Sequence, residues 1–194
     1  MTKDEKIAKL GKEITDRATV LLGKDKITPE SPEYLGINSA LKYTAYKYDQ
    51  KMADDILDIC LTMKKRVPLT IEQLAKKNPQ FDREYLEKAM QAVSESGLVE
   101  FHWENLDGKN PNHEKRWVLD MFVPGSAEIM MINPEQSDMY PETADFFERM
   151  AYLPLAGITE MVPPGGAGIG MHVIPVEKAI PAESKSLPIE HLSH

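Results

Sequence analysis

The chain has 194 residues, 42% of them hydrophobic and 28% charged, which is enough apolar material for one domain with an appendage or two small domains of ordinary globular character. A formal charge of -8 and a pI near 5.2 oppose nonspecific attraction to nucleic acid or anionic lipid, although a local basic patch could override that average. Cys60 is the single cysteine and excludes an intramolecular disulfide; no signal-like apolar core follows Met1, and no run approaches the roughly eighteen apolar residues of a membrane span, so the expected setting is the cytoplasm.

In chain order, Ile7, Leu10, Ile14, Ala18 and Leu21 recur at helical spacing and predict an amphipathic helix over 3–22, with Gly23 as its stop. The stretch 24–32 holds two prolines and reads as a loop before a helix over 37–48. Met52, Ile56, Ile59, Cys60 and Met63 form one stripe of the next helix, which Pro68 keeps from continuing. Thr70 and Gln73 make a capping box for a short helix over 71–77. Asp82 caps another that runs to Ser96, with Leu86, Ala89, Met90 and Val93 turned inward and Gly97 as the stop.

After Gly97 the period changes to two. Val99, Phe101 and Trp103 alternate with Glu100, His102 and Glu104, and Trp117, Leu119 and Met121 repeat the pattern. The intervening 105–114 contains Asp107-Gly108 and Asn110-Pro111, both turn formers. Helix, break, helix and two strands around a polar loop is the order of a winged-helix unit, with that loop as the wing. From Pro124 onward the composition shifts, since nine of the fourteen prolines lie in 124–194. Short helices are predicted over 126–132 and over 142–150, the latter with Pro141 at its first turn, followed past Tyr152 by an extended Pro/Gly-punctuated tail with a short strand at 172–176. The predicted class is α+β and mainly helical: an N-terminal helical segment (1–48), a winged-helix-like domain with a small β-hairpin (49–123) and a helical, then extended, docking segment (124–194).

Candidate chemistry is sparse. The helix that would enter a DNA groove carries Asp82, Glu84, Glu87 and Glu95 against Arg83 and Lys88, a formal charge of about minus two where phosphates require cations. Gly165, Gly166, Gly168 and Gly170 suggest an anion-cradling loop, but counted from Gly166 and Gly168 the third glycine of a dinucleotide fingerprint would fall at Met171. With Pro163 and Pro164 this run reads better as a tight extended crossing or docking surface. Among His102, His113, His172, His191 and His194 only the last two have close metal-like spacing, and without cysteine or carboxylate partners no zinc site is expected. Cys60 on an apolar stripe is expected to be inert packing. Asp54, Asp55 and Asp58 read as a solvated face, not an acid/base pair. Lys64, Lys65 and Arg66, joined by Lys76, Lys77, Lys115 and Arg116, would meet phosphates if they converged; a helix C-terminus explains the first three equally well. Methionines at 121, 130, 131, 139, 150, 161 and 171 suit core filling or adaptable contacts. Trp117 and Trp103 belong to facing strands, with Trp117 either core or a partner contact.

Three segments carry a resemblance: 98–105 (LVEFHWEN), 118–129 (VLDMFVPGSAEI) and 161–180 (MVPPGGAGIGMHVIPVEKAI). They resemble the amino-terminal region of bacterial FAD-dependent pyridine nucleotide-disulfide oxidoreductases that carry an iron-sulfur segment, over about 57–189 of this chain. The resemblance implies a fragment of an oxidoreductase whose FAD, NAD(P) and iron-sulfur cluster are held elsewhere in the parent protein. This chain lacks the cysteine cluster, and the resemblance transfers no catalytic, cofactor or metal residue to it. The expected role is therefore a noncatalytic domain that docks onto redox domains of the same polypeptide or onto another protein, with no nucleic acid or membrane partner. The alternative is a winged-helix transcriptional regulator.

Overall fold

A computed structural model of the chain describes residues 1–15, 27–103 and 114–151. Helix α1, Lys3–Ile14, starts at a reciprocal capping box in which the Glu5 amide donates to the Thr2 hydroxyl (3.2 Å) and the Thr2 amide to the Glu5 carboxylate (2.8 Å). It buries Ile7, Leu10 and Ile14 and stops there, since Thr15 turns to extended backbone. The helix is therefore shorter than its apolar spacing predicts, and Ala18, Leu21 and Gly23 lie outside the described residues. Helix α2, Pro32–Lys47, starts five residues earlier than expected, because Pro32 occupies the first turn, where a missing N–H costs no hydrogen bond. Helix α3, Gln50–Cys60, is capped by Asp49, whose carboxylate accepts from the Met52 amide at 2.7 Å. The predicted stripe of Met52, Ile56, Ile59, Cys60 and Met63 is buried throughout.

Helix α4, Ile71–Lys77, and helix α5, Arg83–Glu95, have the expected caps at Thr70 and Asp82. Gly97 ends α5 at φ +76, and a Cβ there would lie 2.7 Å from the Met130 amide nitrogen, so both backbone handedness and space require glycine. Strands β1, Val99–Trp103, and β2, Lys115–Leu119, pair antiparallel, with Phe101 opposite Trp117 and Trp103 opposite Lys115. The tryptophans thus sit on facing strands but not at facing positions. Leu69 bridges to the outer side of β2, exchanging backbone hydrogen bonds of 2.9 Å with Trp117, and the Arg66 amide donates to the Leu119 carbonyl at 2.7 Å.

A π-helical turn at Phe122–Ser126 leads into α6, Ala127–Ile132, then α7, Pro134–Met139, and α8, Glu142–Ala151. Phe122 is fully buried against Gly36 of α2, where a Cβ would come within 2.5 Å of its ring. Helix α7 has no counterpart in the sequence expectation; Asn133 caps it and Pro134 occupies its first turn. One apolar core, from Ile7 through Leu41, Ile56, Leu86 and Trp117 to Met130, draws on all three sequence segments. The described residues are mainly helical with a small two-stranded antiparallel sheet. Among them no helix is long and apolar enough to cross a membrane.

Candidate docking surface

Helix α5 buries Leu86, Ala89, Met90, Ala92 and Val93, and its 3.6-residue period therefore turns Glu84, Glu87, Lys88, Gln91 and Glu95 to solvent. Two cations next to this stripe, Arg83 and Lys115, are engaged within the molecule. Arg83 pairs with Glu72 of α4 (3.0 Å) and with Glu87 one turn on (3.3 Å). Lys115 reaches across from β2 to donate to Gln91 at 3.0 Å, and its ammonium lies 3.9 Å from the Phe101 ring centre and 4.2 Å from that of Trp117. Burial among these groups holds Lys115 below the ordinary lysine pKa, with Glu87 opposing the shift. Lys88 alone on α5 points its charge outward without a salt bridge among the described residues.

The aromatic pair behind Lys115 is asymmetric. Phe101 and Trp117 meet edge to face, 5.5 Å between centres, yet Trp117 is 3% exposed and Phe101 is 42% exposed. Trp117, the residue the sequence offered as a docking contact, is thus spent on the core, and the ring that reaches solvent is Phe101. Alternation puts both on one face; which of them is covered depends on what packs against that face and is not written in the period. Pro163, Pro164, Gly165, Gly166, Gly168 and Gly170 lie outside the described residues.

The basic run at 64–66 is dispersed. Lys64 pairs with Glu13 at 3.3 Å, the Lys65 ammonium donates to the Thr15 carbonyl at 2.6 Å, and Arg66, with φ +59, pairs with Asp120 at 3.3 Å. The acidic group on α3 is equally committed to structure. Asp54 pairs with Lys3 at 3.4 Å, Asp58 with Lys6, and Asp55 with Lys51 while also accepting from the Tyr85 hydroxyl at 2.5 Å. Glu100 lies diagonal to Asp120 across the hairpin; burial, then the neighbouring carboxylate, lifts its pKa above the usual range.

The single cysteine is not an activated nucleophile. Cys60 is fully buried and burial pushes its thiol up to about 12, so a thiolate is not formed near neutrality. Among the described residues no group of three or more His, Cys, Asp or Glu side chains is placed to hold a metal ion. Comparison with models of protein families, with curated proteins and with solved structures gives no match to this chain.

Proposed function

We propose that residues 49–123 form a winged-helix-like unit acting as a noncatalytic docking module, the amino-terminal domain of a larger flavin and iron-sulfur oxidoreductase. Its partner in this reading is the redox portion of the same polypeptide or of another protein, which holds the FAD, NAD(P) and iron-sulfur cluster. Support for the unit comes from the order α3, α4, α5, β1, β2 and from the Leu69 bridge that adds a third backbone segment beside β2. The reading goes with a cytoplasmic setting.

One observation carries the choice of protein over DNA: the solvent stripe of α5 presents Glu84, Glu87 and Glu95, while Arg83 is clamped between Glu72 and Glu87. Each carboxylate brought within about 4 Å of a phosphate costs about 1 kcal/mol even in bulk water, and more as solvent is excluded. The test mixes this chain with the flavin and iron-sulfur portion of an oxidoreductase of the resembling family and follows association by fluorescence anisotropy. The expected result is saturable binding that the double substitution Glu84→Lys, Glu87→Lys weakens at least about tenfold, or about 1.4 kcal/mol. Association that ignores the charge reversal would remove the basis for the reading. A second reading, a transcriptional regulator built on the same unit, draws on Lys76, Lys77 and Lys88, which are exposed. It requires tight duplex binding that falls with salt at a slope near -0.9 per neutralised phosphate, and that result would displace the first reading.

A further inference from the structure

Helix α7 is anchored differently from its neighbours. Helix α6 buries Ala127 and Met130, and Phe146 of α8 packs on Phe122 with 5.7 Å between ring centres. Between them α7 buries one side chain, and it is polar: Gln136, 1% exposed. The apolar side chains that flank or belong to it, Ile132 and Met139, are turned outward at 78% and 40% exposure. With so little apolar surface buried, hydrophobic burial contributes little to holding this helix in place.

Polar contacts to α2 hold it instead. The Glu135 carboxylate accepts from the Tyr43 hydroxyl at 2.9 Å and pairs with Lys47 at 2.6 Å. Gln136 donates to the Ser39 hydroxyl at 3.3 Å, and Ser39 donates to the Tyr140 carbonyl at 3.5 Å. At the far end Lys42 pairs with Glu142 at 3.2 Å and lies 5.6 Å from the Tyr140 ring centre. A link to α6 runs from the Ser137 hydroxyl to the Met130 carbonyl at 3.4 Å. The ion pairs are substantially exposed, 39% and 43% for Lys47 and Glu135, so water and salt compete with them directly. Docking also leaves the Gln136 amide oxygen buried without a hydrogen-bond partner, a cost that opening relieves as water reaches it.

We propose that α7 is a strap that lifts from α2 while the core stays folded, and that the Tyr43–Glu135–Lys47 clasp sets how often it lifts. Its two ends are suited to that motion. Asn133 and Pro134 restart the helix after α6, Pro141 separates it from α8, and neither joint carries a buried apolar side chain across it. Lifting uncovers the Ser39–Tyr43 side of α2, a surface that the closed form hides.

Native-state hydrogen exchange decides the matter on the whole chain. The Ser137 and Tyr140 amides, bonded at 3.0 Å to the Asn133 carbonyl and at 2.8 Å to the Gln136 carbonyl, report on α7. The Leu69 and Trp117 amides, each bonded at 2.9 Å, report on the core. The expected result is exchange at Ser137 and Tyr140 through an opening insensitive to low denaturant, with the core amides exchanging only on global unfolding. Glu135→Gln is expected to speed the α7 amides about threefold to fivefold and to leave Leu69 and Trp117 unchanged, and added salt to act the same way on the native chain. Exchange of Ser137 and Tyr140 only by global unfolding would overturn the proposal. So would a local opening that Glu135→Gln and salt leave unaltered, or a variant that accelerates the core amides equally.

Discussion

Truncating Trp117 to alanine tests the packing on which the α5–hairpin surface depends. The indole is 3% exposed, it meets Phe101 edge to face with 5.5 Å between ring centres, Lys115 caps it at 4.2 Å, and its backbone N–H and C=O both bond to Leu69 while it stands opposite Phe101 in the hairpin register. Removing a buried Trp side chain costs about 3 to 5 kcal/mol, within which the aromatic pair accounts for about 1 and the lysine contact for about 0.5 to 1. For a domain of this size that corresponds to a fall in Tm of roughly 10 °C. Thermal and urea unfolding followed by far-UV circular dichroism measure it, with Phe101→Ala as the matched control. Because Phe101 is 42% exposed, its truncation removes less buried area and is expected to cost about 1 to 2 kcal/mol. Equal losses at the two positions, or a Tm for Trp117→Ala within about 2 °C of the parent, would show that the Trp117 ring is not packed into the core as described.

Three further outcomes follow from single contacts. Gly97→Ala is expected to destabilise by about 2 to 4 kcal/mol, since a left-handed backbone strains an L side chain and the new Cβ meets the Met130 amide; a urea midpoint unchanged from the parent would contradict both causes. Burial and the hydrogen bond to Asp4 raise Tyr34 from 10.0 to about 12, so the folded state holds that proton more tightly than the unfolded chain does. Its contribution is complete below pH 10 and is lost as pH climbs toward 12, and Tyr34→Phe is expected to flatten part of that alkaline decline; identical pH profiles of unfolding free energy would refute the tie between α1 and α2. Cys60 is expected to resist a thiol-specific disulfide reagent at pH 8 until denaturant is added, and rapid labelling of the native chain would mean that the core around α3 is open.

Where local chemistry decides an element, the residues announce it. Thr70 with Gln73 and Asp82 before the Leu86–Val93 stripe give α4 its predicted bounds and α5 its start, because a cap satisfies orphan amides within three residues. Prolines at helix starts are harder: Pro32 and Pro134 both look like loop punctuation, and only the folded chain shows that each occupies a first turn. Helix α7 adds a second difficulty, since six residues held by polar contacts show no apolar period to detect. At the surface the stripe of acidic residues on α5 was legible, whereas the exchange of roles between Trp117 and Phe101 was not, because accessibility is settled by what packs against a strand face and not by its alternation.

The same distinction governs the charge argument. Residue types alone make 64–66, 76–77 and 115–116 a long list of cations, enough to suggest a phosphate-binding face. Partners in the fold then remove most of them, some distant in sequence and some near: Glu13 takes Lys64, Asp120 takes Arg66, the adjacent Glu114 takes Arg116, and the Phe101 and Trp117 rings take Lys115. Duplex binding by counterion release needs cations that can each meet a phosphate, and typical interfaces use about 6 to 10 of them. Among the described residues flanking the stripe, Lys76, Lys77 and Lys88 remain exposed for that purpose, against Glu84, Glu87 and Glu95 on the helix that would have to enter the groove. A count of available charges, not of total charges, is what weighs against a duplex at this surface and supports the proposed protein partner.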